Sequence, residues 1–169
     1  MTPFSSGAGS QPAYHRLAVV VAVFAAALFA VGLCAQEATR SVWEGVYTEE
    51  QAARGKSSYL RQCAGCHGEL MSGGEMAPPL VGGEFLANWN GLTVGDLFDR
   101  IRTSMPLNSP GKLSRDVNAD VTAYILQFNG FPASRSELDR RSEVLKQIRL
   151  ESNRPEPKVP PNWRRRRAT

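Results

Sequence analysis

The sequence predicts a small all-α domain with long loops, on three observations. Three stretches pair an N-cap residue with apolar positions spaced by three and four, no stretch reads as a strand, and glycine and proline fill the gaps between them. A chain of 169 residues with 42% hydrophobic content has room for one such domain plus extensions.

The first helix is expected from Thr48 to Gln62, with Thr48 as N-cap, Glu49, Glu50 and Gln51 in the first turn, and no interrupting proline. Gly55 and Tyr59 share one face of it. Next come Cys63-Ala64-Gly65-Cys66-His67 and a turn-rich loop, Gly68 to Gly91, containing Gly73-Gly74, Pro78-Pro79 and Gly82-Gly83. A loop this long in a small domain usually wraps something. Thr93-Val94-Gly95-Asp96 is a capping signal, and Val94, Leu97, Phe98 and Ile101 follow at helical spacing, so the second helix is Thr93 to Thr103. Met105-Pro106 lies just beyond. Ser114 caps the third helix, whose stripe Val117, Val121, Tyr124, Ile125 and Phe128 stops at Asn129-Gly130. From Ser136 to Leu150, Leu138, Leu145 and Ile148 predict a short docking helix. Pro155, Pro157, Pro160 and Pro161, then Arg164 to Arg167, read as an extended or disordered tail.

Ahead of the domain, Leu17 to Ala35 is an apolar run without charge that follows His15 and Arg16 and ends in Leu33-Cys34-Ala35-Gln36. Ala35 suits signal-peptidase cleavage, so residues 1–35 read as a secretory signal. An uncleaved anchor competes with that reading, because the run approaches the roughly 18 to 20 residues that span a bilayer. Leu33 argues against lipidation of Cys34, which wants a small residue before it. Export sends the chain to the periplasm or beyond, an oxidising compartment, and leaves it two cysteines and one histidine. The organisation expected is a domain over 41–130 and a charged extension over 131–169.

The formal charge of +4 is unevenly spread. Ser41 to Gly130 carries seven basic and ten acidic side chains, and Phe131 to Thr169 carries eleven and five. An acidic core with a basic tail gives no support for nucleic-acid binding by the domain.

Cys63, Cys66 and His67 form the Cys-x-x-Cys-His pattern of c-type haem attachment. Two sulfurs at this spacing meet the two vinyl groups of a rigid ring, and the adjacent imidazole reaches the iron from the same face. Zinc wants four ligands, and no second Cys pair or His cluster supplies them. A redox dithiol wants a strand before the motif, where this chain has a helix. With His67 the only histidine after export, the second axial ligand is expected from methionine. Met71 and Met76 follow His67 by four and nine residues on the loop leaving that side, whereas Met105 stands 38 residues on, past a helix, with chain enough to pass around the ring. The expected iron ligands are therefore His67 and Met105. A carbonyl of the Pro78-Pro79 loop is a candidate acceptor for the other nitrogen of His67, and Trp89 a candidate donor to a haem propionate or a packing partner for the ring.

With these residues in place, the chain resembles the class I cytochrome c family: Gly55 and Tyr59 on the first helix, Cys-Ala-Gly-Cys-His, Pro78 and Leu80, Arg102-Thr103-Ser104-Met105-Pro106, and Ala123-Tyr124 on the last helix, over roughly Thr48 to Gly130. The resemblance implies three main helices wrapped around one covalent haem c, with the first and last crossing at Gly55, Tyr59 and Tyr124. It also implies a one-electron carrier rather than an enzyme. Asn88-Trp89 and the Thr93 to Ile101 helix are similar to cytochrome domains that work beside quinoprotein dehydrogenases, which implies such a dehydrogenase as donor and a terminal oxidase or another cytochrome as acceptor. Competing readings are a haem subunit of a membrane-anchored oxidoreductase complex, in which membrane contact needs the N-terminal segment retained, and a haem enzyme or sensor with an open site.

Overall fold

The structure, a computed structural model, describes residues 40–156. The expected signal or anchor at Leu17–Ala35, with His15 and Cys34, and the Arg164–Arg167 run lie outside the described residues. Among the described residues, no helix is long and apolar enough to cross a membrane.

Three long helices stand where caps and apolar stripes placed them. Helix α1 is Glu49–Gln62, with Thr48 Oγ1 accepting from the Gln51 N–H at 3.1 Å. After the single turn α2, Ala64–His67, come α3, Gly82–Trp89, and α4, Val94–Ser104. The α4 capping box is complete: Thr93 Oγ1 accepts from the Asp96 N–H at 3.1 Å, and the Asp96 carboxylate accepts from the Thr93 N–H at 2.9 Å. Helix α5, Arg115–Phe128, is capped by Ser114.

Helices α1 and α5 cross at Gly55. A β-carbon there would lie 1.9 Å from the Asp120 carbonyl oxygen and 2.9 Å from Tyr124 Cβ, so only glycine permits this approach. One turn on, the rings of Tyr59 and Tyr124 meet edge to face with centroids 5.6 Å apart.

Helix α3 falls inside the stretch expected to be loop. The Gly82-Gly83 pair disguises it, yet Phe85 and Trp89 sit one turn apart and their rings pack 6.1 Å apart, with Phe85 fully buried. Gly82 adopts φ 82°, and its N–H is received by the Asn129 side chain, a cap supplied from the end of α5. Neighbouring chain thus replaces the missing local signal.

The extension also differs from expectation. Its apolar positions do dock: Leu138, Leu145, Ile148 and Leu150 belong to the core. Only Ser142–Leu145 is helical (α6), because other partners claim the backbone around it. Gln51 holds Leu138 through both side-chain atoms, Nε2 donating to the carbonyl at 3.0 Å and Oε1 accepting from the N–H at 2.6 Å. Ile148–Arg149 (β2) pairs in parallel with Arg40–Ser41 (β1), the one strand pair among the described residues. Leu92 and Gly91 exchange backbone bonds with Leu150, each 2.8 Å. Sequence periodicity sees apolar spacing, not this competition for backbone groups.

Two outcomes follow for stability. Gly55→Ala should lower unfolding free energy by about 1–3 kcal/mol or more through overpacking at the crossing, whereas Gly65→Ala, with nothing within 4 Å of its added carbon, should stay within about 0.5 kcal/mol; denaturant midpoints compare them. Burial, with the Glu49 charge second, pushes the Tyr47 phenol up to about 12, and its hydroxyl donates to the Phe131 carbonyl. The fold favours the neutral phenol, so this contribution is complete below the unfolded value of about 10 and is lost as pH rises through about 12. The midpoint should therefore fall over that window, and Tyr47→Phe should flatten the fall.

Candidate functional site

The Cys-Ala-Gly-Cys-His stretch folds as one turn welded to the end of α1. The Cys63 N–H closes α1 on the Tyr59 carbonyl at 2.8 Å, and the Cys63 carbonyl accepts from the N–H groups of Cys66 at 3.1 Å and His67 at 3.0 Å. Cys63 and His67 thereby stand one turn apart on the same side. The Tyr59 hydroxyl donates to the Gly68 carbonyl at 2.7 Å and ties off the turn.

His67 is buried, and its Nδ1 lies 2.9 Å from the Pro78 carbonyl oxygen. A carbonyl only accepts, so Nδ1 carries a proton, and in the neutral ring this tautomer leaves the lone pair on Nε2. The Pro78-Pro79 segment anticipated for this contact is itself pinned. The Gly74 N–H donates to the Ala77 carbonyl at 2.9 Å, the Leu80 N–H to the Met71 carbonyl at 2.8 Å, and Asn129 Nδ2 to the Leu80 carbonyl at 2.8 Å. Gly73, at φ 72°, runs so close beneath that a β-carbon would lie 2.7 Å from the Pro78 carbonyl carbon and 2.6 Å from the Pro79 nitrogen.

These residues open onto a cavity of about 680 Å³, within the roughly 300–1,000 Å³ range of small-molecule and cofactor sites. The structure brings all six residues singled out from the sequence, Cys63, Cys66, His67, Pro78, Trp89 and Met105, to its wall. Phe85 from α3, Leu97 and Ile101 from α4, and Val121 and Ile125 from α5 make the rest largely apolar. Met105 is the C-cap of α4, its N–H on the Ile101 carbonyl at 2.9 Å, so the helix fixes where its side chain starts. Met71 is fully buried in the core away from the cavity, and Met76, 79% exposed, touches only its edge.

The donor set suits an apolar ring system that brings its own metal. It offers an imidazole nitrogen, a thioether sulfur and two thiols at fixed spacing in an apolar slot. Among the described residues, no group of three or more His, Cys, Asp or Glu side chains is placed to hold a bare ion. Burial, with Cys66 second, pushes the Cys63 thiol up to about 11, so it stands as a neutral thiol and not as a ready thiolate ligand. A second hollow of about 610 Å³ lies between α1, α5 and the extension, but its charges satisfy one another: Arg54 with Asp120 and Glu137, Arg140 with Asp116, and Arg141 with Asp139.

An all-α fold around a Cys-x-x-Cys-His turn and an apolar cofactor cavity defines the class of c-type cytochromes. Residues 50–125 match the family described as "Cytochrome C oxidase, cbb3-type, subunit III". Residues 50–125 thus form a class I cytochrome c-like domain, which implies haem-based electron transfer, as a carrier or as a subunit of an oxidoreductase. Among solved structures, the sulfane dehydrogenase SoxCD from Paracoccus pantotrophus is 23% identical, with 75% of this chain and 68% of that chain covered and a TM-score of 0.45. That likeness is too loose to bring the dehydrogenase's properties to this chain. No curated protein sequence matches it.

In the sequence Gly73 and Asn129 look like residues of turns, yet they pack against and hold the segment that carries the Pro78 carbonyl. Gly73→Ala should force that carbonyl away from His67 and cost about 1–3 kcal/mol. Thermal unfolding gives the cost, and loss of the Nδ1–H signal from its hydrogen-bonded position in a proton NMR spectrum gives the displacement.

Proposed function

We propose that the chain is an exported one-electron carrier whose single haem c is held covalently by Cys63 and Cys66 and ligated by His67 and Met105. One observation carries this reading: both thiols, the free Nε2 of a tautomer-locked imidazole and one helix-capping thioether share a single apolar cavity. When bound, the haem iron supplies the chemistry by cycling between two oxidation states.

The chain's own residues do the rest. The turn from Cys63 to His67 places both sulfurs and the imidazole at fixed offsets, so attachment and ligation are set by one helical turn. The Pro78 carbonyl orients His67 and makes it a better donor toward iron. Met105 supplies a soft sulfur, which favours the reduced metal and raises the potential, as suits a carrier. Phe85, Leu97, Ile101, Val121 and Ile125 exclude water and lower the local dielectric around the ring. Trp89, at the same wall, has an indole N–H suited to a carboxylate of the cofactor. Exposed Cys66 marks where the cofactor edge approaches the surface and where a redox partner docks through a small, transient interface. A dehydrogenase as donor and a respiratory oxidase or cytochrome as acceptor fit such a carrier in the periplasm.

The optical spectrum of the exported protein tests this. A covalent low-spin haem with a near-infrared sulfur-to-iron band is expected, and Met105→Ala should abolish that band and let carbon monoxide bind the reduced protein rapidly. A wild-type protein that is high-spin, or that binds carbon monoxide as readily as the variant, would show an open site and overturn the carrier reading; a protein without covalent haem would overturn the whole proposal.

A further inference from the structure

The segment that joins α4 to α5 begins with Met105, and few hydrogen bonds hold it. Met105, Pro106, Leu107 and Asn108 line the cofactor cavity, and Leu107 is exposed. From Pro106 to Lys112 the hydrogen bonds stay inside the segment. The Ser109 N–H donates to the Pro106 carbonyl at 2.9 Å, the Lys112 N–H to the Ser109 carbonyl at 3.3 Å, and the Ser109 hydroxyl to the Asn108 side chain at 3.3 Å. Among the described residues, hydrogen bonds tie the segment to the helices only at its two ends. At one end the Met105 N–H closes α4 on the Ile101 carbonyl at 2.9 Å. At the other, Asn118 Nδ2 donates to the Leu113 carbonyl at 3.0 Å and to the Ser114 carbonyl at 2.8 Å.

Asn118 is an uneconomical residue for its place. It is fully buried in the first turn of α5, where asparagine is a weak helix former, and its Oδ1 is a buried oxygen without a hydrogen-bond partner among the described residues. Such an oxygen lowers stability, and an apolar side chain of similar size would avoid it. What leucine cannot supply is the pair of donors at the point where the Met105 segment enters α5. With that end fixed, the free span is confined between two anchored points and has fewer conformations in which Met105 swings out of the cavity. Resting on the proposed ligation by Met105, we propose that Asn118 is a positioning residue for that ligand: its amide holds the far end of the Met105 segment and so limits how readily the thioether leaves the metal to a foreign ligand.

The test titrates the oxidised holo-protein with imidazole, which binds only in molecules whose Met105 has left the iron, so its apparent affinity reports that population. Thermal midpoints are measured alongside. Asn118→Leu removes the amide and, with it, the unpartnered oxygen at similar volume. It should keep covalent haem and a midpoint close to wild type, yet bind imidazole roughly tenfold more tightly, the equivalent of one lost hydrogen bond. Thr122→Val loses the 2.8 Å bond from Thr122 Oγ1 to the Asn118 carbonyl, one turn along α5, and no bond to the segment. It should lower the midpoint and leave imidazole affinity at the wild-type value. A purely structural role for Asn118 gives the reverse for Asn118→Leu, a lower midpoint with unchanged imidazole affinity; that result would overturn the proposal, as would equal tightening in Thr122→Val. If Asn118→Leu yields no folded holo-protein, Asn118→Ala is read in the same way. Failure of both to fold overturns the proposal, because the amide is then a requirement of folding and not of ligand retention. A wild-type protein without the near-infrared sulfur-to-iron band would instead sink the Met105 ligation on which the inference rests.

Discussion

The close crossing of α1 and α5 is the constraint on which the remaining structure depends. Because Gly55 lets the Asp120 carbonyl approach without a side chain between, the two longest helices meet near their middles. Helices α3 and α4 bring large apolar residues to the cavity wall. A wider crossing would move Tyr59 away from Tyr124, and with it the hydroxyl that ties off the Cys63–His67 turn. Arg54, one residue before the crossing glycine, reaches both Asp120 and Glu137, so the same point fastens the extension. Exposed pairs of this kind contribute under about 1 kcal/mol each; the apolar burial of Leu138, Leu145 and Leu150 carries more of the attachment.

Much of this was legible in the sequence because the determinants are local. Thr48, Thr93 and Ser114 cap their helices through their own side chains, and the three helix starts fell within one residue of expectation. The Cys-x-x-Cys-His turn is specified by five consecutive residues, and the contact of His67 with Pro78 could be anticipated because an imidazole proposed as a metal ligand needs an acceptor for its other nitrogen. Helix α3 was hidden because its cap, Asn129, is 47 residues away from Gly82. The extension was misjudged as helix because its backbone partners, Gln51, Arg40, Ser41 and Leu92, are all remote in the chain.

The cavity wall shows how a modest domain reconciles a polar site with an apolar core. No carboxylate lines it, His67 faces it with its Nδ1 bonded to the Pro78 carbonyl, and much of the wall comes from aliphatic residues of α4 and α5. Met71 illustrates the limit of reading by residue type. It is as fully buried as any core residue yet holds φ 57°, with its carbonyl serving the Leu80 N–H, so its place in the loop is structural while the chemically similar Met105 faces the cavity.

The pairing of Arg40 with Ile148 joins two points more than a hundred residues apart. A chain made from its N-terminus can complete this clasp, and bury Leu145 and Leu150, only once nearly the whole domain has emerged. Until then the Cys63–His67 turn belongs to an unfinished core whose walls are loosely held. Contacts of such long sequence separation slow the final closure. The delay leaves an interval in which the Cys63–His67 turn at the end of α1 stays open before the remaining chain folds over it.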